Sequence, residues 1–286
     1  MTVTAAFADQ HAAPRPRTAT LRNYVMCPPE HFAVEYVINP WMNPDEPVDV
    51  ALAMRQWLEL KETYERLGHA VSVVPAQPGL PDMVFAANSG TVVDGRVLGS
   101  RFRAEQRAAE AEHFRRWFVE SGFREIVMPS RTNEAEGDFA WTGELLLAGT
   151  GFRTDPEAHA EAQEALGVPV VSLRLIDARY YHLDTALFVL EQGEHPQIAY
   201  YPEAFSAGSR RVLERLFPDA VIADGADAAC LGLNGVSDGR NVVLPLEATG
   251  LADQLRLRGY EPIHVDVSEL RKSGGGPKCC TMELHG

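Results

Sequence analysis

Val92-Val93-Asp94-Gly95-Arg96-Val97-Leu98 sets an apolar, β-branched run on either side of an Asp-Gly pair. Asp and Gly tolerate the positive φ angles of a tight two-residue turn, so the stretch reads as strand, turn, strand. The pattern returns downstream. Trp141-Thr142-Gly143-Glu144-Leu145-Leu146-Leu147 puts Gly143 at the turn, and Phe188 to Tyr200 puts Gly193 there. Val236-Ser237-Asp238-Gly239-Arg240-Asn241-Val242-Val243 repeats the Asp-Gly pair.

After each hairpin comes a helical stretch, a break and a β-branched strand. Glu105–Ser121, with Phe114 and Phe118 at i and i+4, leads through Gly122 to Ile126-Val127-Met128. Pro156–Leu166 leads through Gly167 to Val168-Pro169-Val170-Val171, and Glu203–Phe217 through Pro218 to Val221-Ile222. Leu246–Arg258 leads through Gly259 to Pro262-Ile263-His264-Val265; upstream, Val50–Leu67 leads through Gly68 to Val71-Ser72-Val73-Val74. Glycine just past a helix is its expected stop.

Five short segments stand roughly 45–55 residues apart, a period at which repeat architectures become credible. They are Val84–Asn88, Asp138–Trp141, Asp184–Phe188, Cys230–Asn234 and Cys279–Glu283. The expected unit is hairpin, helix, strand, repeated about five times. An open α/β sheet would alternate single strands with helices, and the recurrent hairpins disfavour it. A ring of five units closed by the chain ends fits better, with Cys279–Leu284 needing a partner and Leu21–Cys27 the unclaimed strand. No Pro-, Gly- or Ser-rich linker divides the units, so residues 21–286 read as one domain. Met1–Thr20 lacks an apolar signal-peptide core and reads as a disordered leader.

A net charge of −14 argues against nucleic acid or an anionic membrane as partner and suits a small cationic substrate. Cys27, Cys230, Cys279 and Cys280 form no CxxC pair, and the histidines form no metal-ligand cluster. No metal or other cofactor is expected, and a reducing cytoplasm is the expected setting. Oligomeric state is not fixed by the sequence, and a homo-oligomer is compatible with it.

Chemistry concentrates near the C-terminus, in Gly274-Gly275-Gly276-Pro277-Lys278-Cys279-Cys280. Three glycines let the backbone come close to a ligand, and Lys278 beside Cys279 would favour the thiolate. Alone, such a tail before a buried structural cysteine is the commoner event. The second element is His182-Leu183-Asp184-Thr185, and both fall on the repeat.

These features together resemble the guanidine-modifying enzymes of the pentein (α/β-propeller) fold. That family holds arginine deiminases, dimethylargininases, amidinotransferases and arginine dihydrolases. Carrying the likeness are the repeat, His182-Leu183-Asp184-Thr185, Glu134 with Gly137-Asp138, and the C-terminal Gly-Gly-x-x-Cys, in family order. It spans residues 21–286 and implies a five-bladed α/β-propeller. Within the family the chain is most similar to ornithine-forming arginine dihydrolases, through Met26–His31, Tyr36–Met42, Pro81–Asn88, Ser100-Arg101-Phe102, Gly151-Phe152-Arg153 and Tyr181–Thr185. Deiminases and dimethylargininases usually carry an acid where this chain has Asn88. Deiminases also carry a helical insertion for which this period leaves no room.

The resemblance implies thiol attack on the guanidinium carbon of arginine, with Cys279 as nucleophile and Cys280 as packing. His182 would protonate the departing amine and then activate water, roles that suit its ordinary pKa of about 6.5. Glu134 and Asp138 would hold guanidinium N–H groups. Asp184, two residues from His182 and expected on the same side of a strand, would orient the imidazole or the substrate. Each has a plainer reading: a structural histidine for His182, a strand start for Asp138. The family pattern carries glycine where this chain has Ala135, and Glu136 competes with Glu134, which keeps the longer spacing to Asp138. Arg101 and Arg153 would take the substrate carboxylate in planar forks. Asn39 and Asn234 are weaker binding candidates, and Asn234 also fits a turn. The expected activity is arginine to ornithine, carbon dioxide and two ammonia, with Asn88 retaining a neutral ureido intermediate. The alternatives are a dimethylargininase, a citrulline-forming deiminase, and a non-catalytic ribosome-binding factor of the same fold.

Overall fold

The computed structural model describes residues 16–286. Its strands are β1 (Asn23–Met26), β2 (Ala70–Val73), β3 (Gly90–Val93), β4 (Arg96–Gly99), β5 (Glu125–Val127), β6 (Phe139–Trp141), β7 (Leu146–Thr150) and β8 (Val170–Arg174). They continue with β9 (Leu187–Glu191), β10 (Gln197–Tyr200), β11 (Val221–Ile222), β12 (Val236–Ser237), β13 (Asn241–Pro245), β14 (Glu261–Val265) and β15 (Met282–His285). Between them lie α1 (Val50–Arg66), α2 (Glu110–Glu120), α3 (Glu157–Leu166), α4 (Ala207–Leu216), α5 (Gly225–Ala229), α6 (Thr249–Leu257) and α7 (Ser268–Arg271).

One pairing pattern recurs. β3 and β4 pair antiparallel and β4 continues into parallel β5; β6-β7-β8, β9-β10-β11 and β12-β13-β14 do the same. The turn between β3 and β4 holds Asp94 at φ 50° and Gly95 at φ 76°, as the Asp-Gly pair requires. The fifth unit takes its first strand from the other end of the chain: β15 pairs antiparallel with β1, and β1 parallel with β2. The partner expected for the C-terminal segment is therefore Asn23–Met26. β15 also pairs with β3, which merges two units into one six-stranded sheet beside three three-stranded ones.

The crossover between the parallel strands of each unit is helical, and its apolar face makes the core. In α1, Ala53, Trp57, Leu60 and Tyr64 recur at helical spacing and are buried, while Asp49 caps the helix by accepting from the Leu52 N–H. Phe114 and Phe118 of α2 are buried against Val92, Val97 and Met282. The helices are shorter than expected at their N-termini. Glu105–Ser121 divides into a 3-10 turn (Glu105–Arg107) and α2; α4 begins at Ala207 and α6 at Thr249.

Residues 1–15 of the expected leader lie outside the described residues. The rest of it, 16–20, is bound to the units: Arg17 pairs with Glu191 at 2.6 Å and the Thr20 N–H donates to the Asp238 carbonyl. Among the described residues no helix is long and apolar enough to cross a membrane.

Candidate active site

Ahead of the first strand in each unit the chain makes a tight turn, and these turns carry the polar residues of the site. Asn88 sits on the 3-10 turn Ala86–Ser89, Glu134 caps the turn Ala135–Gly137, and Asp184 lies within Leu183–Thr185 just after His182. Asn234 and Cys279 occupy the corresponding turns before β12 and β15. His182 and Asp184 are therefore not on one strand, as the sequence suggested. The 3-10 turn sends their side chains to different partners.

Cys279 is buried, and its thiol donates to Asp184 Oδ2 at 3.1 Å. The Asn234 amide clamps the same residue from both sides. Its Nδ2 donates to Cys279 Sγ at 3.1 Å and to the Asp184 carbonyl at 3.0 Å, while its Oδ1 accepts from the Cys279 N–H at 3.0 Å. Asn234 thus holds the nucleophile candidate in place. The glycines ahead of Cys279 are needed for close packing more than for turning. A Cβ on Gly275 would fall 2.1 Å from Phe85, and one on Gly276 would fall 2.8 Å from Asn234 Oδ1; only Gly274 has a positive φ, 82°.

Burial, and then the Asp184 carboxylate, push the Cys279 thiol well above its ordinary range. Burial also lifts Asp184 itself to about 6. Lys278, expected beside the thiol as a thiolate-stabilising cation, points elsewhere: its Nζ pairs with Glu136 Oε2 at 2.5 Å and donates to the Thr281 carbonyl. Adjacent residues on a tight turn project apart, so sequence adjacency did not become contact. The resting site holds a neutral thiol, and a cation entering beside it would shift the balance toward thiolate.

Glu134 is fully buried and accepts three hydrogen bonds. Oε2 takes His182 Nε2 at 2.7 Å and Arg153 Nη1 at 2.8 Å, and Oε1 takes the Arg103 N–H at 3.0 Å. Burial alone would raise its pKa, but Arg153 and His182 overturn that and hold the carboxyl well below the usual range. The other ring nitrogen of His182, Nδ1, is buried and without a hydrogen-bond partner. Glu136 belongs to a different cluster, with Lys278 and the Glu283 N–H. Of the two competing acids, Glu134 is the one at the imidazole. Ala135 between them has φ 48°, the left-handed conformation that explains the glycine of the family pattern.

A narrow cleft is lined by Cys279, Asn88, Arg107, Arg153, Tyr181 and Asn39, among others. Asn39 reaches it from the loop before α1, where its Nδ2 donates to the Ser273 carbonyl and its Oδ1 accepts from the Trp41 N–H. Arg153 spans the wall between cavity and Glu134, and its guanidinium lies 4.9 Å from the Tyr181 ring centroid. The Tyr181 ring in turn lies 4.7 Å from that of His182, tilted by 46°, and its hydroxyl donates to the Gly274 carbonyl.

Of the expected binding residues, Asp184 and Asn234 reach this cavity only through Cys279, and Arg101 and Asp138 are not brought to it. Arg101 is exposed and its Nη1 donates to the Ser130 carbonyl at 2.7 Å. It sits in an antiparallel bridge with Asn133, which turns its side chain outward. Asp138 is fully buried, its Oδ1 accepting from the Leu183 N–H and its Oδ2 from the Thr154 N–H, so it organises backbone and does not line the cavity. Beside Arg153, the cavity is also lined by Arg107, which hairpin-based reasoning missed. Its signal was the Arg107-x-x-Glu110 spacing, which places an ion pair on one helical face. Cys280 packs in the apolar cluster with Trp57 and Leu60, as expected of it.

Behind Asp184 a second cavity contains Glu136, Lys278, Glu283 and His285. Burial would lower the His285 pKa, but Glu283, 3.1 Å away, together with Glu136 carries it up to about 9. A raised histidine contributes stability that is complete below its ordinary 6.5 and is lost as pH rises through about 9. His285→Ala should therefore cost about 3 kcal/mol near pH 6 and much less at pH 9.5. Thermal unfolding of both proteins across this range checks the sign. A deficit that grew with pH would contradict it.

A buried thiol clamped beside one carboxylate, with an imidazole held by a second, defines a cysteine-dependent hydrolytic centre. The comparisons with known proteins agree. The chain is 51% identical over 273 residues to the N(G),N(G)-dimethylarginine dimethylaminohydrolase of Mycobacterium tuberculosis, covering 96% of this chain and 89% of that protein. It is 38% identical over 266 residues to the bifunctional arginine dihydrolase/ornithine cyclodeaminase ArgZ of Synechocystis sp., but spans only 37% of that longer protein. A mutant N-terminal domain of ArgZ, solved bound to its substrate, superposes with a TM-score of 0.86 at 34% identity, covering 92% of this chain and 98% of that one. A variant of the same domain has been solved covalently bound to a reaction intermediate. No family model matches the chain. The chain belongs to the family of guanidine-modifying hydrolases that holds these dimethylargininases and arginine dihydrolases.

Proposed function

We propose that the chain is a cysteine-dependent hydrolase of the arginine guanidino group that carries the reaction through to ornithine, carbon dioxide and two ammonia. The observation that carries this reading is that Cys279 and Asn88 line one cavity, with Arg153 in its wall and Glu134 and His182 directly behind. The guanidinium cation enters beside Cys279 and Asp184, favours the thiolate, and is attacked at its central carbon. His182, held in place by Glu134, gives a proton to the departing ammonia and then takes one from the water that attacks the thiouronium. Loss of the thiol leaves citrulline, whose ureido group is neutral. Asn88 holds that group for a second attack by Cys279, which expels the second ammonia; water then hydrolyses the S-carbamoyl group, freeing the thiol, and the resulting carbamate splits into ornithine and carbon dioxide. Arg153 takes the substrate carboxylate.

Asn88→Asp tests the product assignment. An acid at this position accepts but does not donate, so citrulline should replace ornithine as the main amino acid released from arginine. Unchanged ornithine formation would remove this role from the amide. A dimethylarginine substrate is the second reading, favoured by the 51% identical relative that bears that name. Supplying arginine and dimethylarginine separately, with identification of the amino-acid products, decides between them.

We also infer that the five units close into one ring, a five-bladed α/β-propeller over residues 21–286. Supporting this, β15 links the first two units, β6 lies against β9, β9 against β12, and α1 against β14. The free thiols at Cys27, Cys230, Cys279 and Cys280 suit a reducing cytoplasm.

A further inference from the structure

Arg107, at the end of the 3-10 turn before α2, and Glu110, the first residue of α2, make a buried ion pair, 3% and 0% exposed. The pair is two-pronged: Arg107 Nε donates to Glu110 Oε1 at 2.9 Å and Nη2 to Oε2 at 2.8 Å. Nη2 also donates to the Asp82 carbonyl at 3.2 Å, and the Phe102 ring centroid lies 4.6 Å from the guanidinium carbon. Held on these sides, the guanidinium donates its Nη1 to Asn88 Oδ1 at 2.8 Å.

A guanidinium has donors and no acceptor, so the amide atom facing it must be the oxygen. The Asn88 Nδ2 then points the other way, making only a long 3.5 Å contact with the Glu134 carbonyl. That end of the amide also requires Gly137, whose Cβ would fall 2.3 Å from Nδ2. Arginine presents only N–H groups to this nitrogen and gains nothing from it. The ureido carbonyl of citrulline is an acceptor and gains a hydrogen bond.

We propose that Arg107, fixed by Glu110, sets which way the Asn88 amide faces, and so decides whether citrulline escapes or is retained for the second hydrolysis. Glu110 is a positioning residue that never meets substrate. The inference rests on the ornithine-forming reading above.

The test is the citrulline-to-ornithine ratio from arginine, measured in parallel for the unaltered protein, Glu110→Gln, Arg107→Gln and Arg107→Lys. Glu110→Gln releases the fork and Arg107→Gln offers an acceptor as well as donors, so both let the amide turn. In each, the ratio should rise about tenfold or more while arginine is still consumed. Arg107→Lys keeps a donor-only cation and should keep more of the ornithine than Arg107→Gln, which provides the comparison if Glu110→Gln fails to fold. Slower turnover with ornithine still the sole product in both glutamine variants would overturn the inference and leave the product assignment standing. Absence of ornithine from the unaltered protein would overturn both.

Discussion

Cys279→Ser should abolish turnover of arginine, with a loss of about 10⁴-fold or more, and leave the fold in place. Serine is close in shape to cysteine, and a hydroxyl in this position still accepts from Asn234 Nδ2 and donates to Asp184 Oδ2. Stability should change by no more than about 1 kcal/mol. The chemistry is lost because an alcohol does not ionise in a site where burial and a carboxylate already oppose ionisation of a thiol. Product release from arginine and thermal unfolding, measured on the same preparation, separate the two effects. Retention of a tenth of the activity would show that the sulfur is not the attacking atom.

Glu134→Gln should lower kcat by about 10²–10⁴-fold, the usual worth of a positioned acid or base. It should also destabilise the protein, by about 3–5 kcal/mol, because Arg153 is left as an uncompensated buried cation. Both losses follow from one carboxylate that serves His182, Arg153 and the Arg103 backbone together. The sign with pH is fixed. A carboxyl held below its ordinary 4.5 contributes stability that is complete above 4.5 and disappears as pH falls through its lowered value. The stability difference between Glu134→Gln and the unaltered protein should therefore be flat from neutral pH to about 5 and shrink in stronger acid. Equal activity for the two proteins would remove Glu134 from the proton-transfer machinery.

The repeat was readable because hairpins and helix stops are local. Asp94-Gly95 and the glycines after the helices announce themselves through backbone conformation alone. The pairing of Asn23–Met26 with β15 was readable by elimination, since one strand at each end lacked a partner. Individual side chains were less legible wherever a 3-10 turn replaced a strand. Alternation along a strand would put His182 and Asp184 on one side; the turn sends one to Glu134 and the other to Cys279. The same effect carries Lys278 away from its neighbour Cys279 and into the cluster with Glu136. Arg101 matched the hairpin spacing, but whether an arginine faces a cavity depends on what packs beyond it. Here the bridge to Asn133 turns Arg101 out, and the buried partner Glu110 draws Arg107 in. Asp138 illustrates a further limit, because backbone N–H groups from distant turns compete for any buried carboxylate and leave no trace in sequence.

Trapping the intermediate tests the whole scheme. Rapid acid quenching of the protein with arginine labelled at the guanidino carbon, followed by mass spectrometry of the peptide spanning Cys279, should show labelled arginine less ammonia attached at that cysteine. Label on no residue during active turnover, or on Cys280 in its place, would contradict thiol attack by Cys279.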